Sequence, residues 1–166
     1  TVKAGKINSL EKWGNPPSPT RNKSSKGWKA LGLEVSETLR EAVHSQMVSD
    51  VPVGAFLSGG LDSSSVVAFA RERDPSIKCF TIQSFGQSDD GVVDDLPFAK
   101  QAAKHLGVDL EVVEVQPSRV AEDIEDMIYS LDEPLADIAA LNVLYICQVA
   151  KKQGFKVLLS GNGGDE

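Results

Sequence analysis

The chain has 166 residues, 41% of them hydrophobic, and a formal charge of −7, which suits one α/β core and is too short for two large ones. The charge is uneven: residues 1–30 hold seven Lys or Arg against the single acid Glu11, and the remainder is strongly acidic. An acidic body argues against nucleic acid as a partner, and no apolar run approaches the ~18 residues that would argue for a membrane span.

No signal-peptide pattern opens the chain, and Cys79 and Cys147 each lie in an apolar run with no CxxC neighbour. Both read as buried free thiols, and the expected compartment is the reducing cytoplasm.

Thr1 to about Lys29 reads as irregular, with PPSP at 16–19 enforcing extended geometry. A first amphipathic helix follows, carrying Val35, Leu39, Val43 and Met47 on one face and ending near Asp50, before Pro52. Val53–Leu57 reads as a short buried strand, Ser63–Arg73 as a helix starting at a glycine turn, and Ile77–Ile82 as a second strand. Residues 84–94 form a polar loop. The next helix, from about Asp95 to Leu106, buries Leu96, Ala99, Ala103 and Leu106 and stops at Gly107, with Asp94 and Asp95 as candidate caps. Leu110–Val115 is a third strand. Ser118–Leu131 then sets Val120, Ile124, Met127, Ile128 and Leu131 on one helical face. A helix from about Ala139 to Gln153 ends at Gly154, and Val157–Leu159 is a fourth strand. His44 and His105 fall on helices as surface or internally satisfied histidines. The alternation implies a parallel sheet with helices on both faces, whose ligands bind at the carboxyl ends of the strands.

Two glycine-rich segments, 58–61 and 161–164, follow strands and so belong to that edge. In FLSGGLDSSS (56–65), Gly59 and Gly60 permit a tight turn and a close approach of backbone amides to phosphate oxygens at a helix start. Ser58, Ser63 and Ser64 add hydroxyl donors. Asp62 repels a bare phosphate and makes sense with Mg²⁺ between carboxylate and phosphate. The lysine of GxxxxGK[ST] is missing. Since that lysine serves the γ-phosphoryl group, the loop suits a reaction in which a nucleophile attacks the α-phosphorus and pyrophosphate leaves.

SGGLDSS resembles the signature of the N-type ATP pyrophosphatases, and SDVPVGAFLSGGLDSSSVVAFA resembles the synthetase domain of glutamine-hydrolysing asparagine synthetases. VDDLPFAKQAAKHLGVDLEVVEV, LDEPLAD at 131–137 and VLLSGNGGDE at 157–166 resemble further segments of that family in the same order. The resemblance implies an adenine nucleotide alpha hydrolase-like fold. It makes residues 1–30 a linker after a glutaminase domain and residues 31–166 the N-terminal part of an ATP-dependent synthetase domain, truncated at its C-terminus. The chain is then expected to be a fragment, weak in nucleotide binding, with little turnover. It should self-associate as a homodimer through an open core edge.

Family chemistry implies an aspartate side chain attacking ATP to give a β-aspartyl adenylate, which ammonia from glutamine converts to asparagine. Carried over residue by residue, Ser58, Gly59, Gly60, Asp62 and Ser63 would hold the pyrophosphate, and Asp62 with Asp165 would bind Mg²⁺. Backbone groups of Leu57 and Ile82, at the ends of two strands, would contact the adenine, and Ser160 and Gly161 would face the nucleotide. Asp132, Glu133 and Asp137 would wall the aspartate site. On the residues alone, Asp165 and Glu166 could be a helix-start acid pair and DEPLAD an acidic helix exit.

Asn162 stands where the family mostly has Glu or Asp at a catalytic position; it can hydrogen-bond but cannot act as a general base. Residues 138–143, IAALNV, also depart from the family's Ser/Pro-containing segment. Both departures keep open a related amidotransferase or β-lactam synthetase-like enzyme with another acceptor, and a non-catalytic adenine-nucleotide-binding module. A tRNA-modifying pyrophosphatase fits poorly with the acidic body.

Overall fold

The computed structural model describes residues 2–3, 5–7, 9–10, 26–84, 94–131, 133, 135 and 139–164. The chain divides into two units, Thr1–Glu34 and Val35–Glu166.

In the first unit, β1 (Val2–Lys3) pairs antiparallel with β2 (Lys6–Ile7), setting Val2 opposite Ile7. The irregular reading of this segment is corrected by Gly5, whose φ of 72° lets the chain reverse sharply. Lys26 and Glu34 form an ion pair. Helix α1 (Trp28–Gln46) starts earlier than its apolar periodicity suggests, and the unit boundary falls within it.

The second unit contains β3 (Val53–Phe56), α2 (Leu61–Arg73), β4 (Lys78–Ser84), α3 (Leu96–Leu106), β5 (Asp109–Val115), α4 (Pro117–Ser130), α5 (Ala139–Lys152) and β6 (Val157–Leu159). The four strands form one sheet in the order β5-β4-β3-β6, all parallel. Side chains alternate between its faces. Ala55, Leu57, Cys79 and Leu159 meet Val43 of α1, Val66, Val67 and Ala70 of α2, and Ala103 of α3. On the other face Phe80, Val113 and Val115 meet Met127 of α4 and Leu141, Tyr145, Ile146 and Ala150 of α5. Helices therefore cover both faces, as the alternation of elements predicts. The central strand VGAF needs no polar alternation because both of its faces are covered. Gly54 is glycine for want of room: a Cβ there would lie 2.8 Å from Leu158 Cδ2 and 3.0 Å from the Lys78 carbonyl oxygen.

Helix ends follow local chemistry. Leu96 N–H donates to Asp94 Oδ1 at 3.0 Å, so Asp94 caps α3, while the Asp95 side chain makes no cap bond. Gly107 closes that helix with φ 63°. Gly154 has φ 89°, and Phe155 N–H donates to Ala150 O at 3.0 Å, ending α5 in the glycine-terminated pattern. Helices α4 and α5 are clasped by Arg119. Its Nε lies 3.2 Å from Asp123 Oδ2, its Nη2 donates to Gln148 Oε1 at 2.9 Å, and its guanidinium stacks 4.6 Å from the Tyr145 ring centre.

Several sequence expectations need correction. Helix α2 begins at Leu61, because Gly60 in extended conformation starts the helix two residues before Ser63. Strand β4 runs on to Ser84, paired throughout with β5, so Ile82 lies inside it and not at its end. Val35 is exposed because the turns of α1 that pack on the sheet begin nearer Leu39. Ile124 and Ile128 are exposed, flanking the line through Val120, Met127 and Leu131 that meets the core. Cys147 is exposed, since α5 turns the adjacent Tyr145 and Ile146 inward. The histidines conform: His44 Nε2 lies 3.1 Å from the Phe69 carbonyl oxygen and 3.3 Å from Glu72, and His105 is exposed. Among the described residues no helix is long and apolar enough to cross a membrane. The loop expected at 84–94 lies almost wholly outside the described residues.

Candidate nucleotide site

The chain runs from β3 outward to β4 and β5, then returns through α4 and α5 to place β6 on the other side of β3. The order of strands thus reverses between β3 and β6, which is where open parallel sheets form their binding crevice. The turn after β3 (57–60) and the turn after β6 (160–164) meet there. A Cβ on Gly161 would lie 2.8 Å from Ser63 N and 3.0 Å from Asp62 C, so the loops approach with no room for a side chain. Gly59, at φ 86°, is pressed against the first turn of α3, where a Cβ would overlap the Phe98 carbonyl and come within 2.5 Å of Ala99 N.

The first turn is held by its own hydroxyls. Ser63 Oγ lies 3.3 Å from the Gly60 carbonyl, 3.0 Å from Ser58 Oγ and 3.3 Å from Ser58 N. Gly60 N–H donates to Ser58 Oγ at 3.3 Å. In the second turn Asn162 N–H donates to Ser160 Oγ at 3.2 Å. Gly60 puts no side chain over the start of α2, and Asp62 is the acid of its first turn. The positive end of the helix therefore faces the turn with one carboxylate beside it.

Between the turns lies a cavity of about 310 Å³ lined by Phe56, Ser58, Gly60, Leu61, Asp62, Ser63, Val143, Ser160, Gly161 and Asn162. Seven of these are sequence candidates: Ser58, Gly60, Asp62, Ser63, Ser160, Gly161 and Asn162. Gly59, Leu57 and Ile82 are not in the lining. Leu57 is buried on the α1–α3 face with its N–H given to Phe80 O at 2.9 Å, and Ile82 packs on the α4–α5 face. Glu133 is exposed and also outside the lining, while Asp132, Asp137 and Asp165 lie outside the described residues.

Sequence reasoning missed Phe56, Leu61 and Val143. Leu61 carried a signal, being an apolar residue inside a glycine and hydroxyl run; it is 82% exposed at the cavity. Val143 carried none, because its place depends on how α5 crosses the sheet. The described lining is thus apolar on one part, hydroxyl and amide on another, with Asp62 its one charged side chain. Among the described residues no three His, Cys, Asp or Glu gather as a metal cage. Asp62 and the nearby hydroxyls are hard oxygen donors, which fit a Mg²⁺ ion bound by one or two carboxylates together with substrate phosphates and water.

A sequence model of the family described as asparagine synthase matches residues 34–166. The chain is 39% identical over 136 residues to glutamine-hydrolyzing asparagine synthetase 1 of Bacillus subtilis, covering 82% of this chain and 21% of that protein. It is 32% identical over 146 residues to the amidase chyE of Penicillium rubens, covering 80% and 21%. Among solved structures, the glutamine-dependent NAD+ synthetase of Acinetobacter baumannii in complex with ADP superposes with a TM-score of 0.54 at 20% identity, over 87% of this chain and 28% of that one. That likeness concerns the fold. The chain spans about a fifth of the length of the curated relatives it matches.

Proposed function

The chain belongs to the asparagine synthase family, and on that premise we propose that it is the ATP-binding part of an enzyme that makes asparagine from aspartate through an acyl-adenylate. The observation that carries the reading is the meeting of the SGGLDSS and SGNGG turns on one cavity at the switch point between β3 and β6.

In this reading a side-chain carboxylate oxygen of aspartate attacks the α-phosphorus of ATP. The bond from that phosphorus to the bridging oxygen breaks, and pyrophosphate leaves. Ammonia then attacks the acyl carbon, a proton is lost, and AMP departs with the carboxylate oxygen. Ammonia is supplied from glutamine by a glutaminase domain. Ser58, Gly59, Gly60 and Ser63, at the start of α2, hold the departing pyrophosphate through amides and hydroxyls. To do so, Gly60 N–H exchanges its bond to Ser58 Oγ for one to a phosphate oxygen. Asp62, with Asp165, would hold Mg²⁺, which would supply positive charge against the phosphates. No lysine is needed, because no γ-phosphoryl group is transferred. Leu57 and Ile82 bear on the adenine through backbone groups, Ser160 and Gly161 on the nucleotide, and Asp132, Glu133 and Asp137 on the acceptor. Asn162 positions substrate by hydrogen bonding and takes no proton.

The reading assigns the protein to residues 1–30 as linker and 31–166 as part of the synthetase domain, working in the cytoplasm as a homodimer.

A second reading is an amidotransferase of the same chemistry with another acceptor. It is favoured by Asn162, by the apolar Val143 and Phe56 in the lining, and by the likeness to an amidase. Product analysis of the full-length protein separates the possibilities. Aspartate-dependent formation of AMP and pyrophosphate supports asparagine synthesis, whereas the same products with aspartate inert mean another acceptor. ATP binding without turnover means a non-catalytic module.

A further inference from the structure

Gly164 sits directly over the carboxylate of Asp62. A Cβ at 164 would be 2.5 Å from Asp62 Cγ and 2.7 Å from each carboxylate oxygen. The backbone does not demand glycine there: among the described residues the left-handed glycines are Gly5, Gly59, Gly107, Gly154 and Gly163. What excludes a side chain at 164 is the carboxylate itself. Gly161 differs, because the atoms its Cβ would meet first are backbone, Ser63 N and Asp62 C. A methyl group at 161 must push a helix start away, whereas one at 164 has only to rotate a short side chain. The space left at Gly164 is what lets the Asp62 carboxylate lie in this orientation.

We propose that Gly164 is a positioning residue: the space it leaves seats the Asp62 carboxylate between the two turns, in the orientation that accepts a divalent cation together with the nucleotide's phosphates. This rests on the reading of Asp62 as a Mg²⁺ ligand. It gives the second turn a role in metal capture through a residue with no side chain of its own.

The test is calorimetric titration of Mg²⁺ into the full-length protein saturated with α,β-methylene-ATP, in which the bond that would break is replaced by carbon. Gly164→Ala should weaken Mg²⁺ binding roughly ten- to a hundredfold, the range for groups that orient a ligand. Affinity for the nucleotide without Mg²⁺ and the melting temperature should stay near native. In an Asp62→Ala background the same change should have no further effect, because the two residues act as one unit. Native-like Mg²⁺ binding by Gly164→Ala, or losses that simply add, would overturn the proposal. Should Gly164→Ala melt early, recovery in the double variant supports the contact, and an equally unstable double variant contradicts it. If Asp62→Ala alone leaves Mg²⁺ binding unchanged, the metal reading of Asp62 fails and takes the proposal with it.

Discussion

The hydroxyls of Ser58 and Ser63 lie 3.0 Å apart, and one arrangement of their protons satisfies every partner at once. Ser63 donates to the Gly60 carbonyl, which leaves its oxygen to accept from Ser58 N–H and from the Ser58 hydroxyl. Ser58 Oγ in turn accepts from Gly60 N–H. Each hydroxyl gives its one proton, and the two acceptor positions on Ser63 are filled. The turn after β3 is thus shaped by its own hydroxyls. Ser63→Ala strands the Ser58 amide in a part-buried turn and should cost about 1–3 kcal/mol, read as a lower urea midpoint. Ser63→Thr, which keeps the hydroxyl, should recover most of it.

Gly54→Ala adds a single methyl group where Leu158, the Lys78 carbonyl and Phe80 leave no space. Overpacking of this kind costs about 1–3 kcal/mol. Thermal melts should show the loss, and because β3 leads into the turn proposed to hold phosphate, nucleotide affinity should fall with it.

The four strands of the parallel sheet, the five helices and the sheet edge where the two glycine turns meet were legible because apolar periodicity and glycine punctuation are local signals, whereas the short β1–β2 pair was not. Gly107 and Gly154 end helices where the sequence says they should, and Asp94 supplies a cap. The failures arose where tertiary packing selects among local options. Val35, Ile124 and Ile128 continue apolar stripes beyond the contact that α1 and α4 make with the core. Ile82 was expected at a strand end because nothing in QS at 83–84 announces that pairing with β5 continues. Within the site, the polar members were readable as motif residues. Phe56 and Val143 were not, since an apolar residue looks alike on a core face and on a cavity wall.

Arg119→Ala removes an ion pair, a hydrogen bond to Gln148 and a stacking contact on Tyr145 at once. Exposed ion pairs contribute about 0–1 kcal/mol and an exposed cation–π contact about 0.5–1 kcal/mol. A loss of about 1 kcal/mol is expected. Faster amide exchange should be confined to α4 and α5, leaving α2 protected.

The two cysteines should separate chemically. Burial pushes the Cys79 thiol up to about 12 from its ordinary 9.0, and Cys147 is exposed. A thiol reagent at neutral pH should modify one group in the folded protein and two in urea. Because the folded value of Cys79 lies above the unfolded one, its contribution to stability is whole below pH 9 and is lost as pH rises towards 12. Cys79→Ala should flatten stability between those limits.

The most direct test of the central claim follows the carboxylate oxygen. Full-length protein is supplied with ATP, Mg²⁺, ammonia and aspartate labelled with heavy oxygen in its side-chain carboxylate, and the products are weighed by mass spectrometry. The acyl-adenylate account predicts pyrophosphate, asparagine and AMP carrying one heavy oxygen from aspartate. Unlabelled AMP, or release of ADP and phosphate, would contradict it.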